Sequence, residues 1–359
     1  MEPIFNTNKE RAERLGLKPA PTIKGYYFDK DVIAETIRNN ISFTKGKAEK
    51  PALLGIFIES APFCNLRCPH CYTDAFKSNE KLSLNSYKFE IWKRNVEIAK
   101  EFGIKSVVFA GRGEPLLDPT VVEMLKYITD IGLWAVVFTN NTQIDIKIAE
   151  MLYNLNVSII AKLGSLNPEK QDKLVGKKGA HISIYKGLAN LLQVGFNKEE
   201  GRLGIDATVI RSNLDELLDI FIFCRINGII PYFEFLIEEG RARKWKDFAD
   251  ENLTNAEKIE FFEKLRDIDE KVFGYSWVIE DGILILAYER CNKGKTMITI
   301  RDDLKVDSCV NVFQDGWLGS LENSDLKSIL NRQNIAKLIN ATNCCPKCGV
   351  IREMLPQSI

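Results

Sequence analysis

The chain has 359 residues, 49 of them basic and 49 acidic, so its formal net charge at neutral pH is zero. Balanced charge leaves no basic stripe of the kind that binds nucleic acid, and no apolar run approaches the ~20 residues that a membrane span needs. The polar start Met1–Lys9 lacks a secretory pattern, so the sequence predicts a soluble, cytoplasmic protein whose nine cysteines are metal ligands or buried thiols rather than disulfides.

In chain order, residues 1–50 form a polar extension with Pro19-Ala-Pro21 and a helix over Asp29–Asn39 that packs on the next domain. From residue 51, apolar runs at Leu53–Ile58, Ser106–Ala110, Trp134–Thr139, Val157–Leu163, Gly204–Ile210 and Tyr232–Ile237 read as strands. Between them, i, i+3, i+4 periodicity predicts helices at about 85–102, 119–131, 145–154, 181–194 and 214–227. This alternation predicts an α/β fold, a parallel sheet curved by right-handed connections into a partial (β/α)6 TIM barrel over 51–240. Residues 241–290 are a helical linker, whose capping box Thr254-Asn-Ala-Glu257 opens a helix to about Lys271. Residues 291–359 begin with a hairpin, Thr296–Ile300 against Lys305–Cys309 around the turn Arg301-Asp302-Asp303, followed by an amphipathic stretch, Leu326–Ile339.

The strongest chemical signal is Cys64-Asn-Leu-Arg-Cys68-Pro-His-Cys71. A [4Fe–4S] cluster normally takes four thiolates, so a trio with no fourth cysteine before Cys224 leaves one iron open to an outside ligand. A zinc knuckle is the competing reading. It needs a local fourth ligand, and His70 is too close to Cys71 to bind an ion held by its neighbours. Strand two is followed by Gly111-Arg-Gly113-Glu114-Pro115, strand three by Thr139-Asn140-Asn141 and strand four by Gly164-Ser165, so all face one mouth with the cysteine loop.

The cysteine spacing, with the glycine–glutamate motif about 40 residues later, resembles the radical S-adenosylmethionine (radical SAM) superfamily. That resemblance implies the same (β/α)6 architecture, with the open iron chelating the SAM amino and carboxylate groups. It also implies one-electron cleavage to a 5′-deoxyadenosyl radical that abstracts a substrate hydrogen, fed by a flavodoxin- or ferredoxin-type reductant. It places His70, supplemented by Tyr72, against the adenine. Gly111, Gly113 and Glu114 fall at the SAM amine, and Arg112 stands where the family's usual Gly-Gly-Glu-Pro has none. Asn140 and Ser165 fall where relatives use polar side chains for the methionine or ribose; each reads equally well as a strand-end turn residue.

In the C-terminal part, Cys291, Cys309, Cys345 and Cys348 complete a four-thiolate shell for a second, auxiliary [4Fe–4S] cluster, with zinc as the rival. The arrangement resembles the twitch domain, a shortened SPASM extension. Cys344 is an alternative to Cys345 as ligand or a hydrogen-atom donor, a role also open to Cys224, which otherwise reads as a core thiol. Arg241 reads either as a reach toward a substrate or SAM carboxylate or as a solvated turn. The N-terminal extension is too short for the leader-binding module of many peptide-modifying relatives, which favours dehydrogenation of a small metabolite such as an aminosugar or cyclitol. The alternatives are a maturase that epimerises or crosslinks a ribosomal peptide, and a non-catalytic electron carrier.

Overall fold

The computed structural model describes residues 9–28, 30–77, 83–276, 293–310 and 317–340. Helix α1 (Lys30–Thr44) precedes strand β1 (Gly55–Ile58). Then follow α2 (Ser86–Glu101), β2 (Ser106–Phe109), α3 (Pro119–Asp130), β3 (Trp134–Thr139), α4 (Ile146–Asn154), β4 (Ser158–Lys162), α5 (Pro168–Val175) and α6 (Ala180–Val194). The barrel continues with β5 (Leu203–Val209), α7 (Leu214–Ile226) and β6 (Ile230–Phe235), and beyond it lie α8 (Asn255–Ile268), β7 (Met297–Ile300), β8 (Lys305–Asp307), β9 (Gly319–Ser320) and α9 (Arg332–Asn340).

Local chemistry explains the helix starts. Asn85, Asp118 and Asp145 each turn a side-chain oxygen to a free amide of the first turn of α2, α3 and α4. The expected capping box is present, with Thr254 and Glu257 satisfying each other's amides at α8. Helix α5 was absent from the expected set, although its signals are in the sequence: Asn167 at the cap, Pro168 at the first position and Gly176 at the left-handed end.

Strands β1 to β6 pair in parallel in sequence order, as expected of the partial barrel. The C-terminal hairpin forms where predicted, but it is not a separate layer. Strand β7 pairs in parallel with β1, Ile300 beside Ile58, and β8 and β9 continue the sheet antiparallel. The expected domain border at 291 therefore divides a single hydrogen-bonded sheet.

Alternation along the strands separates two apolar layers. Ile56, Val107, Val137, Ile159, Ile205 and Phe233 point toward the helices. Phe57, Val108, Val136, Ile160, Tyr232 and Met297 point inward. The inner layer is completed by Ile23 and Tyr26 from the N-terminal segment. Tyr26 stands edge-on to Phe57, Phe138 and Tyr232, so part of the presumed extension belongs to the barrel interior. Among the described residues no helix is long and apolar enough to cross a membrane.

Candidate active site

The strand ends open into one large cavity lined by Cys64, Cys68, Cys71, His70, Tyr72, Gly111, Gly113, Glu114 and Asn140. Its floor carries Tyr26, Lys162, Asp206, Tyr232 and Glu234, and its far wall carries Cys309.

The cysteine loop is braced from several elements. Arg241 donates to the carbonyls of Cys68 and Ala75, both at 2.9 Å, and pairs with Asp74 at 3.2 Å. The amides of Arg241 and Ala242 both donate to the Cys71 carbonyl. Arg241, half-buried in its turn, thus holds the loop that bears the thiols, a role that neither the carboxylate-reaching nor the solvated-turn reading included. From the α5 side, the Arg67 amide donates to the Val175 carbonyl at 2.9 Å.

Burial pushes the thiols of Cys64 and Cys68 up, to about 11 and about 12, the first also by the charge of Glu114 and the second by the neighbouring cysteines. For Cys71 burial acts in the same direction, but hydrogen bonds from Thr73 and Ala75 outweigh it and lower its pKa. A metal ion binding here must displace protons, as thiolate ligation requires.

Glu114 is 3% exposed. Its Oε1 accepts from Thr139 Oγ1 at 2.7 Å and from the Leu116 amide at 3.1 Å, and its Oε2 accepts from the Asn140 amide at 2.7 Å. Burial raises its pKa to about 7 against the pull of these donors. The carboxylate therefore organises the ends of β2 and β3 as well as facing the cavity.

Gly111 and Gly113 have φ of 101° and 88°, a region that favours glycine. The crowding comes from the protein itself. A Cβ on Gly113 would lie 2.1 Å from the Ala61 carbonyl oxygen, and one on Gly111 would lie 2.5 Å from Glu59 Oε1. Both glycines let this loop pack against the exit of β1, a constraint the ligand-centred expectation missed.

Asn140 donates from Nδ2 to Asn65 Oδ1 at 2.9 Å and lies 3.7 Å from Cys64 Sγ, so it joins the end of β3 to the cysteine loop. Ser165 is fully buried, does not line the cavity, and gives its hydroxyl to Glu216 at 2.5 Å. It ties the exit of β4 to Glu216 on α7.

His70 lines the cavity with its Nδ1 buried and without a hydrogen-bond partner among the described residues. Burial, then Lys162 and Arg241, lowers its pKa to about 3, so the ring is neutral. Cys224 is fully buried in the helix-side core, as the core reading expected. Cys291, Cys344, Cys345 and Cys348 lie outside the described residues.

The floor was not anticipated. Lys162 Nζ lies 2.5 Å from Asp206 Oδ2, Tyr232 donates to Glu234 Oε1 at 2.8 Å, and the Tyr26 and Tyr232 hydroxyls meet at 3.0 Å. Burial pushes Asp206 up, while Lys162 pulls it down. Inward charges within hydrophobic strands were the available signal: Lys162, Asp206 and Glu234 each occupy an inward position at alternate spacing.

These residues fit the iron–sulfur cluster and SAM. Three thiols, a neutral flat ring with an unused nitrogen and a glycine-lined carboxylate converge on one cavity at the strand ends, where such barrels place their chemistry. Residues 58–224 match the family model of the radical SAM superfamily, and this stretch is a radical SAM domain. Its cofactors are SAM and a [4Fe–4S] cluster.

Among curated proteins, the chain is 29% identical over 213 residues to Fe-coproporphyrin III synthase of Methanosarcina barkeri, covering 58% of this chain and 51% of that protein. It is 24% identical over 306 residues to the antilisterial bacteriocin subtilosin biosynthesis protein AlbA of Bacillus subtilis, covering 83% of this chain and 64% of AlbA. The chain thus spans between half and two thirds of the length of these relatives. Among solved structures it shares its fold with Streptococcus suis SuiB bound to the precursor peptide SuiA, with a TM-score of 0.64 and 15% identity over 92% of this chain and 76% of SuiB.

Proposed function

We propose that this chain cleaves SAM reductively in the strand-end cavity and abstracts hydrogen from a peptide substrate lodged over the Lys162–Asp206–Glu234 floor. The convergence of Cys64, Cys68, Cys71, His70, Gly111, Gly113 and Glu114 on that cavity carries the reading. When bound, the cluster supplies an electron to SAM, and SAM supplies the hydrogen-abstracting radical. The chain supplies position and water exclusion. Glu114 offers its carboxylate to the SAM ammonium, His70 and Tyr72 offer flat faces to the adenine, and Arg241 keeps the cysteine loop in place.

The peptide assignment draws on AlbA, which is similar over most of this chain, and on the fold shared with SuiB. The small-metabolite dehydrogenase is the second reading. The polar floor favours it, because Tyr26, Tyr232, Lys162, Asp206 and Glu234 together present donors and acceptors suited to a hydroxyl- and amine-bearing ring. In either case, Cys309 on the wall of the same cavity supports an auxiliary cluster beside the reacting substrate, with Cys291, Cys345 and Cys348 as the other ligands and a small flavodoxin- or ferredoxin-type protein as reductant.

Anaerobic incubation of the reconstituted protein with SAM and dithionite is expected to yield 5′-deoxyadenosine. None formed by an iron-replete protein contradicts the reading. Stimulation of that yield by the macromolecular rather than the small-molecule fraction of a host extract supports the peptide; the reverse supports the metabolite.

A further inference from the structure

Strands β1 and β7 leave the sheet side by side, and each is followed by a buried charge. Ile58 is in register with Ile300, so Glu59 and Arg301 emerge together at the rim of the lumen. They are 0% and 4% exposed. Arg301 Nη1 donates to Glu59 Oε1 at 2.8 Å and to the Val310 carbonyl at 3.2 Å. Its Nη2 donates to the Cys309 carbonyl at 2.9 Å, and its Nε donates to Asp307 Oδ2 at 2.8 Å. One guanidinium therefore ties the hairpin, and the backbone of Cys309 itself, to the end of β1.

The other side of Glu59 is the glycine–glutamate loop. The Arg112 amide donates to Glu59 Oε1 at 3.3 Å, and Gly111 packs so closely that any Cβ there would collide with the Glu59 side chain. A second, looser strut runs through the Arg112 side chain. Its Nε donates to the Thr73 carbonyl at 3.4 Å, its Nη1 stands 3.6 Å from Asp302 Oδ1, and the group lies over the Phe76 ring. The arginine between the two glycines thus spans the cysteine loop and the hairpin turn.

A buried ion pair is a poor way to gain stability, since apolar residues of similar volume commonly do as well, but it fixes geometry tightly. We propose that Glu59 and Arg301 are positioning residues. They hold the Gly111–Glu114 loop in its ligand-binding shape, and they do so only while the Cys309 hairpin is docked. Through them, the two thiol-bearing regions of the cavity set each other's geometry. This inference rests on the reading that the Gly111–Glu114 loop binds SAM.

The test uses reconstituted full-length protein carrying Arg301→Met, Arg301→Lys, Glu59→Gln or the double change Glu59→Gln/Arg301→Met. Two quantities are read: the SAM dissociation constant by equilibrium dialysis, and amide hydrogen exchange over the β2–α3 connection and over the hairpin. Arg301→Met is expected to raise the SAM dissociation constant on the order of tenfold, within the usual span of coupling between sites. It should also speed exchange at 111–114 together with 309–310, while α4 and α6 exchange as in the wild type. The double variant should be no worse than the worse single variant, and Arg301→Lys should recover part of the loss.

Faster exchange confined to the hairpin, with 111–114 and SAM affinity unchanged, overturns the proposal and leaves the pair as an anchor of the hairpin alone. Should Arg301→Met speed exchange everywhere, Arg301→Lys and Glu59→Gln decide by the same local pattern, and wild-type exchange at 111–114 in both overturns it. Failure of the wild type to bind SAM, with the exchange coupling intact, sinks the functional reading and leaves the mechanical link standing.

Discussion

Cys64, Cys68 and Cys71 sit within a single loop after β1, and their convergence follows from backbone spacing plus a brace from Arg241. Cys309 reaches the same cavity from a hairpin near the other end of the chain, and it does so only because β7 pairs with β1 and Arg301 grips Glu59. The first arrangement is written in a short motif and tolerates ignorance of the fold. The second exists only once the sheet has closed around it, so its determinants are buried charges with no sequence spacing to announce them.

The largest effect should separate the two regions outright. Replacing Cys64, Cys68 and Cys71 together with Ala is expected to abolish 5′-deoxyadenosine formation and to remove about half of the roughly eight irons expected of two four-iron clusters. A triple variant that still cleaves SAM would show that the local motif is not the reactive centre. Next, Gly113→Ala is expected to destabilise the chain by about 1–3 kcal/mol or more, read as a lower thermal midpoint. Its Cβ would meet the Ala61 carbonyl at 2.1 Å with φ at 88°. An unchanged midpoint would mean that the two strand exits are less tightly packed than the geometry implies.

These two positions also mark how much was legible beforehand. All six barrel strands, the five long helices between them and the hairpin were visible as alternating or helical apolar patterns, and the cysteine and glycine–glutamate motifs landed at the strand ends the barrel makes available. Helix α5 was overlooked because its apolar stripe is short, although Asn167, Pro168 and Gly176 delimit it. Tyr26 was invisible for a different reason: nothing local says that an N-terminal segment will thread into the lumen. Ser165 and Arg241 were assigned by position along the strands, but side-chain direction sends one to Glu216 and the other to the cysteine loop.

Smaller effects sharpen the comparison within the site. Glu114→Ala should weaken SAM binding by about 1.5–3 kcal/mol, the value of a hydrogen bond to a charged group, while iron content stays at the wild-type level. Normal SAM affinity in that variant would reduce Glu114 to its structural role toward Thr139 and Asn140.

Burial raises Glu59 to about 7, against the pull of Arg301. A carboxyl whose folded pKa exceeds its unfolded value near 4.3 binds more protons when folded, so stability should fall as pH rises from about 4.5 to 7. Glu59→Gln should make that slope shallower in thermal melts, leaving the share that the buried carboxyls of Glu114 and Asp206 contribute over the same range. An equal slope in the variant would place the titration elsewhere. The smallest effect belongs to Cys224: its replacement by Ala should cost about 1 kcal/mol as a lost core contact and leave 5′-deoxyadenosine formation unchanged.

Chelation of SAM beside the Cys64–Cys71 loop is tested most directly by electron–nuclear double resonance on the reduced, iron-replete protein, using SAM with an isotopically labelled amino nitrogen. A hyperfine coupling to that nitrogen is predicted in the wild type and its loss in the triple cysteine variant. A reduced cluster that shows no nitrogen coupling with SAM in excess would contradict an open iron at this loop.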